Sequence, residues 1–213
     1  MTTVILVRHG ESTANGKGFF AGQLDIPLSE KGMQQAKCVA EYIAKNYQVD
    51  KVYSSDLSRA YDTAKPIAEK VGLAITSEAM LREICSGDWQ GLTFDTLQEK
   101  YADKYGVWLT DIGNAVCPSG ETVKELYNRI VMTVLNIAKE NDGKTIVVVT
   151  HATPIRALCC CARGFGAENM KNVPWVSNAS LTVAQVGQGK LSLIEEDVCE
   201  YLLNLQTRFP ANV

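Results

Sequence analysis

The chain has 213 residues, 46% apolar and 21% charged, with a formal net charge of −3. Its length suits one sizeable core, so residues 1–213 are expected to form a single domain. The slightly acidic balance argues against general nucleic-acid binding and against attachment to an acidic membrane.

The N-terminus carries only the short apolar run "VILV", Val4 to Val7, with no cleavage-like region after it. It therefore reads as a strand buried on both faces rather than a signal peptide. Residues 11–28, rich in Gly, Ser, Asn and Pro, read as a loop. Ser29 is placed as an N-cap, with a helix following in which Met33, Ala36, Ala40, Ile43 and Tyr47 share an apolar face. "DKVYSS" predicts a second strand. "DLSRAYDTAKPIAEKVG" predicts a helix, kinked or broken at Pro66 and stopped by Gly72.

A third strand signal lies around Leu73 to Thr76. The stretch 84–121 is irregular and reads as an insertion with short helices. Thr122 and Glu125 form a capping-box pattern opening a helix to about Lys139. Thr145 to Thr150 is the clearest strand. The helix after it has Pro154 in its first turn, where proline is tolerated. It also carries Cys159, Cys160 and Cys161, read as its buried face. The last pattern is a hairpin around Gly187 to Gly189. The alternation predicts a three-layer α/β/α fold, with a mainly parallel sheet and a closing antiparallel strand or hairpin. The cysteines number seven. An odd number with three in a row suits free thiols in a reducing compartment, so the protein is placed in the cytoplasm. No apolar stretch approaches the roughly 20 residues that cross a membrane.

The two histidines of the chain, His9 and His151, each directly follow a predicted buried strand. In open α/β sheets, ligands bind beyond the carboxyl ends of the strands. Arg8 shares the first strand end, and Arg59 lies near the start of the helix after the second strand. One His after a strand is ordinarily a core or surface residue, and Arg59 alone could be a helix-face ion-pair residue. Two His and two Arg on converging strand ends, beside the free N–H groups of helix N-termini, instead specify an anion site, with phosphate the natural ligand.

The segments "LVRHGEST", "GQLDIPLSEKG", "YSSDLSRAYDTA", "LREICSGDWQG", "PSGET" and "VVVTHATPIRAL" resemble, in order, those of the histidine phosphatase superfamily, the phosphoglycerate mutase-like enzymes. The resemblance implies that His9 attacks phosphorus as a neutral imidazole, forming a phosphohistidine that water hydrolyses. Neighbouring Arg charges disfavour the imidazolium, and the other ring nitrogen is expected to donate to a backbone carbonyl. Arg8 and Arg59 would hold the phosphoryl oxygens with His151 as a further donor. Glu83 would be the general acid, with Asp88 its local competitor. Asn15, Gly22 and the backbone at Ala152 match positions lining the phosphate pocket. Glu11, though near His9, reads as structural. The segment from about 84 to 121 would cap the pocket and select the leaving group.

"GESTANGKG" has the wrong spacing for a P-loop, and "GKGFFAG" misses the dinucleotide fingerprint. Two His and no paired Cys motif give a transition metal little to bind, so neither cofactor nor metal is expected. The expected partner is a small phosphorylated metabolite, and no pattern specifies an oligomer. Hydrolysis is favoured over phosphoglycerate mutase activity for two reasons. The stretch from Ile84 to Gly120 is short and has no Arg, and Ala-Thr-Pro follows His151 where the resembling mutases carry Gly-Asn-Ser. A non-catalytic phosphate-binding module would lack a catalytic group, and none is missing. The run "WLTDIGNAVCPSGET" resembles α-ribazole-5'-phosphate phosphatases; sugar phosphates and other small phosphoesters are further candidates. Trp89, Trp108, Tyr101 and Tyr105 are assigned by default to the core of the cap.

Overall fold

The computed structural model describes residues 1–207, so the last six residues of the chain lie outside the described region. One sheet has the order β3-β2-β4-β1-β5-β6. Its strands are β1 (Thr2–Arg8), β2 (Lys51–Ser54), β3 (Ile75–Ser77), β4 (Thr145–Thr150), β5 (Leu181–Gly187) and β6 (Lys190–Val198). β1 to β4 pair in parallel, while β5 runs antiparallel to both β1 and β6. The fold is the three-layer α/β arrangement with a closing hairpin.

"VILV" is apolar throughout because both faces of β1 are covered. Val4 and Leu6 pack with Leu126, Ile130 and Val134 of α6 (Val123–Glu140) and Leu158 of α7 (Ala152–Ala162). Ile5 and Val7 pack on the other face with Val39 and Ile43 of α2 (Glu30–Asn46) and Ala60 and Ile67 of α3 (Ser58–Val71). Each such fully buried side chain contributes about 1.5–3 kcal/mol. The caps read from sequence are present. Ser29 Oγ accepts the Gly32 N–H at 3.0 Å, and Thr122 and Glu125 exchange both capping-box bonds.

Four local readings change. Pro66 neither breaks α3 nor splits it; the helix continues to Val71, and Gly72 ends it at φ +70°. The carbonyl that loses its partner to Pro66, that of Asp62, belongs to a half-exposed residue that water can reach. The loop 11–28 contains a one-turn helix, α1 (Thr13–Lys17), capped by a Ser12–Asn15 capping box. The third strand lies slightly later than the Leu73–Thr76 signal, at Ile75–Ser77. Met33 is 51% exposed rather than part of the buried face of α2. Gln35 is buried there instead, its amide accepting the Glu11 N–H and donating to the Leu205 carbonyl.

Segment 84–121 contains α4 (Phe94–Lys100) and α5 (Ala102–Thr110). Its Trp89, Leu97, Trp108 and Ile112 belong to the same apolar cluster as α6 and α7. Cys159 and Cys160 are buried and Cys161 is half-buried; all seven cysteines are free thiols.

Candidate active site

β1 and β4 are neighbours in register, with Arg8 opposite Thr150, so the residues after them emerge side by side. The His9 N–H donates to the Thr150 carbonyl at 3.0 Å. The His9 and His151 rings meet edge to face with centroids 5.1 Å apart. The next residue must be small: a Cβ on Gly10 would lie 2.5 Å from the Gly32 carbonyl oxygen of α2. Its N–H is held by Thr63 Oγ1 of α3 at 3.0 Å.

His9 Nδ1 lies 2.7 Å from the Gly10 carbonyl oxygen. A carbonyl only accepts, so Nδ1 carries the proton and Nε2 keeps its lone pair. Burial, then the charges of Arg59 and Arg8, hold the imidazole well below its ordinary value of 6.5. The ring is therefore neutral at pH 7 and fixed in one tautomer. Asn178 is fully buried and donates from Nδ2 to the His9 carbonyl at 3.0 Å.

A pocket partly open to solvent is lined by Arg8, His9, Asn15, Gly22, Arg59, Glu83 and Ala152 among others. Arg59 is 1% exposed, and its guanidinium donates to the carbonyls of Leu24 and Gly22 at 2.9 and 2.8 Å. The same loop supplies the cap that α3 lacks, since Asp25 Oδ1 accepts the Ser58 N–H at 2.7 Å. Arg8 donates to the Val176 carbonyl at 2.5 Å. Burial lowers its pKa to about 10, against the opposing charges of Glu83 and Asp197.

Glu83 is oriented by two amides: Oε1 accepts from the Ile84 N–H at 2.8 Å and Oε2 from the Thr153 N–H at 3.3 Å. The second bond sets its carboxylate at the N-terminus of α7, where negative charge is favoured. Its competitor Asp88 is exposed and bonded to Ser119 instead. Glu11 holds Ser29 and Thr207 hydroxyls and lies off the pocket wall. Asn15 Oδ1 closes the α1 capping box.

His151 is not on the pocket wall. It is fully buried behind His9, with Nε2 2.9 Å from Ser55 Oγ and Nδ1 without a hydrogen-bond partner among the described residues. Burial, then Arg59, His9 and Arg8, also keep this imidazole well below 6.5.

The rest of the wall is mostly aromatic, from Phe19, Phe20, Phe94, Tyr105, Trp108 and Trp175, with Ser12, Ala21 and Thr153 between them. Trp89 and Tyr101 stay in the core, whereas Tyr105 and Trp108 serve both core and pocket. Phe19, Phe20, Phe94 and Trp175 were not singled out from the sequence. They come from separate segments, and no local spacing marks them.

Sheet and crevice define an α/β protein with an oriented neutral imidazole and two guanidinium groups lining one pocket at the strand ends. The chain belongs to the histidine phosphatase superfamily (branch 1), whose family model matches residues 4–196. It is 36% identical over 177 residues to phosphoserine phosphatase 1 of Hydrogenobacter thermophilus, covering 79% of this chain and 83% of that protein. It is 35% identical over 188 residues to phosphoglycerate mutase-like protein 4 of Arabidopsis thaliana, covering 87% and 80%. A mutant phosphoserine phosphatase from Entamoeba histolytica, solved with phosphoserine, superposes with a TM-score of 0.82 at 30% identity, covering 95% of this chain and all of that one.

Proposed function

We propose that this protein hydrolyses small phosphomonoesters through a phosphohistidine on His9. The observation that carries the reading is His9 itself. Its Nδ1 proton is committed to the Gly10 carbonyl, and it lines one pocket with Arg8, Arg59 and Glu83. In the first step Nε2 attacks phosphorus, the P–O ester bond breaks, and protonated Glu83 gives its proton to the leaving oxygen. In the second, water attacks phosphorus as the Glu83 carboxylate takes its proton, and the P–N bond to His9 breaks. Phosphate leaves, and both side chains return to their starting state. Arg8 and Arg59 stabilise charge on the transferring oxygens. The unpartnered Nδ1 of His151 is the group through which that imidazole would join them. Asn15, Gly22 and the Ala152 backbone complete the phosphoryl recess. The positive charge needed comes from side chains, so no metal is required. The free thiols suit a reducing compartment such as the cytoplasm.

A mutase must also retain the released acid. Among the described residues, the cations lining the pocket are Arg8 and Arg59, both beside His9, and this favours release and hydrolysis. The test is 4-nitrophenyl phosphate turnover with a chelator present. Activity is expected in the wild type, and His9→Ala is expected to lose both turnover and an acid-labile phosphoenzyme. A need for added divalent metal would overturn the reading, as would near-normal activity in His9→Ala. Rapid conversion of 3-phosphoglycerate to 2-phosphoglycerate, primed by 2,3-bisphosphoglycerate, would make it a mutase instead.

A further inference from the structure

We propose that the pocket selects phosphomonoesters whose leaving group is a flat, apolar ring and disfavours leaving groups bearing a carboxylate, with Trp175 as the specificity-determining side chain. The inference rests on the phosphatase reading and narrows it.

Trp175 is half-buried and lines the pocket. The guanidinium of Arg156 lies 4.3 Å from its ring centroid. Arg156 is itself only 8% exposed and is not on the pocket wall, so it braces the indole without offering its charge to a ligand. Trp108 packs against Trp175 at 6.4 Å with the rings tilted by 31°. Phe20 in turn meets Trp108 edge-on at 5.0 Å. These rings are held by one another before any ligand arrives, so little side-chain freedom is lost on binding. Offset and edge contacts to a further ring are the interaction such a wall makes best.

The charges point the same way. Among the described residues, the charged side chains on the pocket wall are Arg8, Arg59 and Glu83. The two arginines lie beside His9, where the phosphoryl group takes their donors. A carboxylate on the leaving group would sit beyond them, facing a wall made mostly of aromatic rings. Its desolvation would go uncompensated.

Leaving-group reactivity must be held constant in the test, because phenols leave more readily than alcohols whatever the pocket does. 2-Phenylethyl phosphate, ethyl phosphate and O-phosphoserine are all primary alkyl esters. The expected kcat/KM is highest for phenylethyl phosphate, about tenfold or more above ethyl phosphate, with phosphoserine lowest. In Trp175→Ala the phenylethyl-to-ethyl ratio should fall about tenfold, and Trp175→Phe, which keeps a ring, should recover most of it. Phosphoserine turned over as well as phenylethyl phosphate would overturn the selectivity while leaving the phosphatase intact. An unchanged ratio in Trp175→Ala would remove Trp175 from the role. Turnover of none of these esters, nor of 4-nitrophenyl phosphate, would remove the phosphatase reading and this inference with it.

Discussion

A histidine that attacks phosphorus must be neutral, must present one nitrogen, and must not rotate away. At His9 the Gly10 carbonyl fixes the tautomer, burial and two arginines fix the charge, and Asn178 with Thr150 fixes the backbone. The arginines depend on backbone oxygens in the same way. Arg59 is seated partly on the Gly22 carbonyl, and Gly22 has φ +51°. A Cβ there would run into Ser86 Oγ and lie 2.8 Å from Gln90 Oε1. Gly22→Ala should therefore shift the seat of Arg59. With about 1–3 kcal/mol of strain to relieve, a loss of roughly tenfold or more in kcat/KM on 4-nitrophenyl phosphate is expected. Unchanged far-UV circular dichroism would show that the fold survives, and wild-type kinetics would show that the seat does not matter. At this scale the sequence was legible in placing His9 and His151 side by side at neighbouring strand ends, although His151 lies off the pocket wall. It was silent on Trp175, whose ring partners Trp108 and Arg156 come from separate segments.

Among elements, the piece between β3 and α6 has the most to hold, because it carries Glu83 with little regular structure. Arg129 of α6 clamps it. Its guanidinium donates to both oxygens of Glu121 and to the carbonyls of Met80, Arg82 and Glu83. Glu121 in turn accepts the Cys85 N–H at 2.8 Å. Arg129→Met keeps the bulk but removes every donor and leaves Glu121 and several carbonyls unsatisfied. Urea unfolding should show a loss of about 1–3 kcal/mol. kcat should fall more for ethyl phosphate than for 4-nitrophenyl phosphate, since only the poorer leaving group needs a well-placed acid. An equal fall for both esters would separate Arg129 from the positioning of Glu83. The helices and central strands were legible from periodicity and caps, because α2, α3 and α6 are long enough to repeat their pattern. α1 has five residues and no period to read; its trace was the Ser12–Asn15 spacing. Pro66 misled in suggesting a break because the cost of a proline depends on how the freed carbonyl is satisfied, which the packing of α3 decides.

For the whole molecule, the same burial that readies the nucleophile also sets acid stability. Both histidines of the chain lie at this one site, and both are held well below 6.5. In the unfolded chain each would take up a proton near pH 6.5, while in the folded protein neither does so until the pH is much lower. Between those limits the unfolded state binds more protons, so stability rises with pH and is lost as pH falls. The loss should begin near pH 6.5 and approach about 2.7 kcal/mol per pH unit once two protons separate the states. Ordinary carboxylates titrate nearer pH 4, so between pH 6.5 and 5 the slope belongs to the site alone. Urea midpoints at pH 7.5, 6.0 and 5.0 measure it, and replacing both histidines with Asn should flatten the profile. The acid limb of kcat/KM set by His9 should also lie well below pH 6.5, so the enzyme loses stability before its nucleophile is protonated. A wild-type stability profile that stays flat from pH 7.5 to 5 would mean that the folded protein accepts those protons, and the neutral His9 on which the chemistry depends would be lost with it.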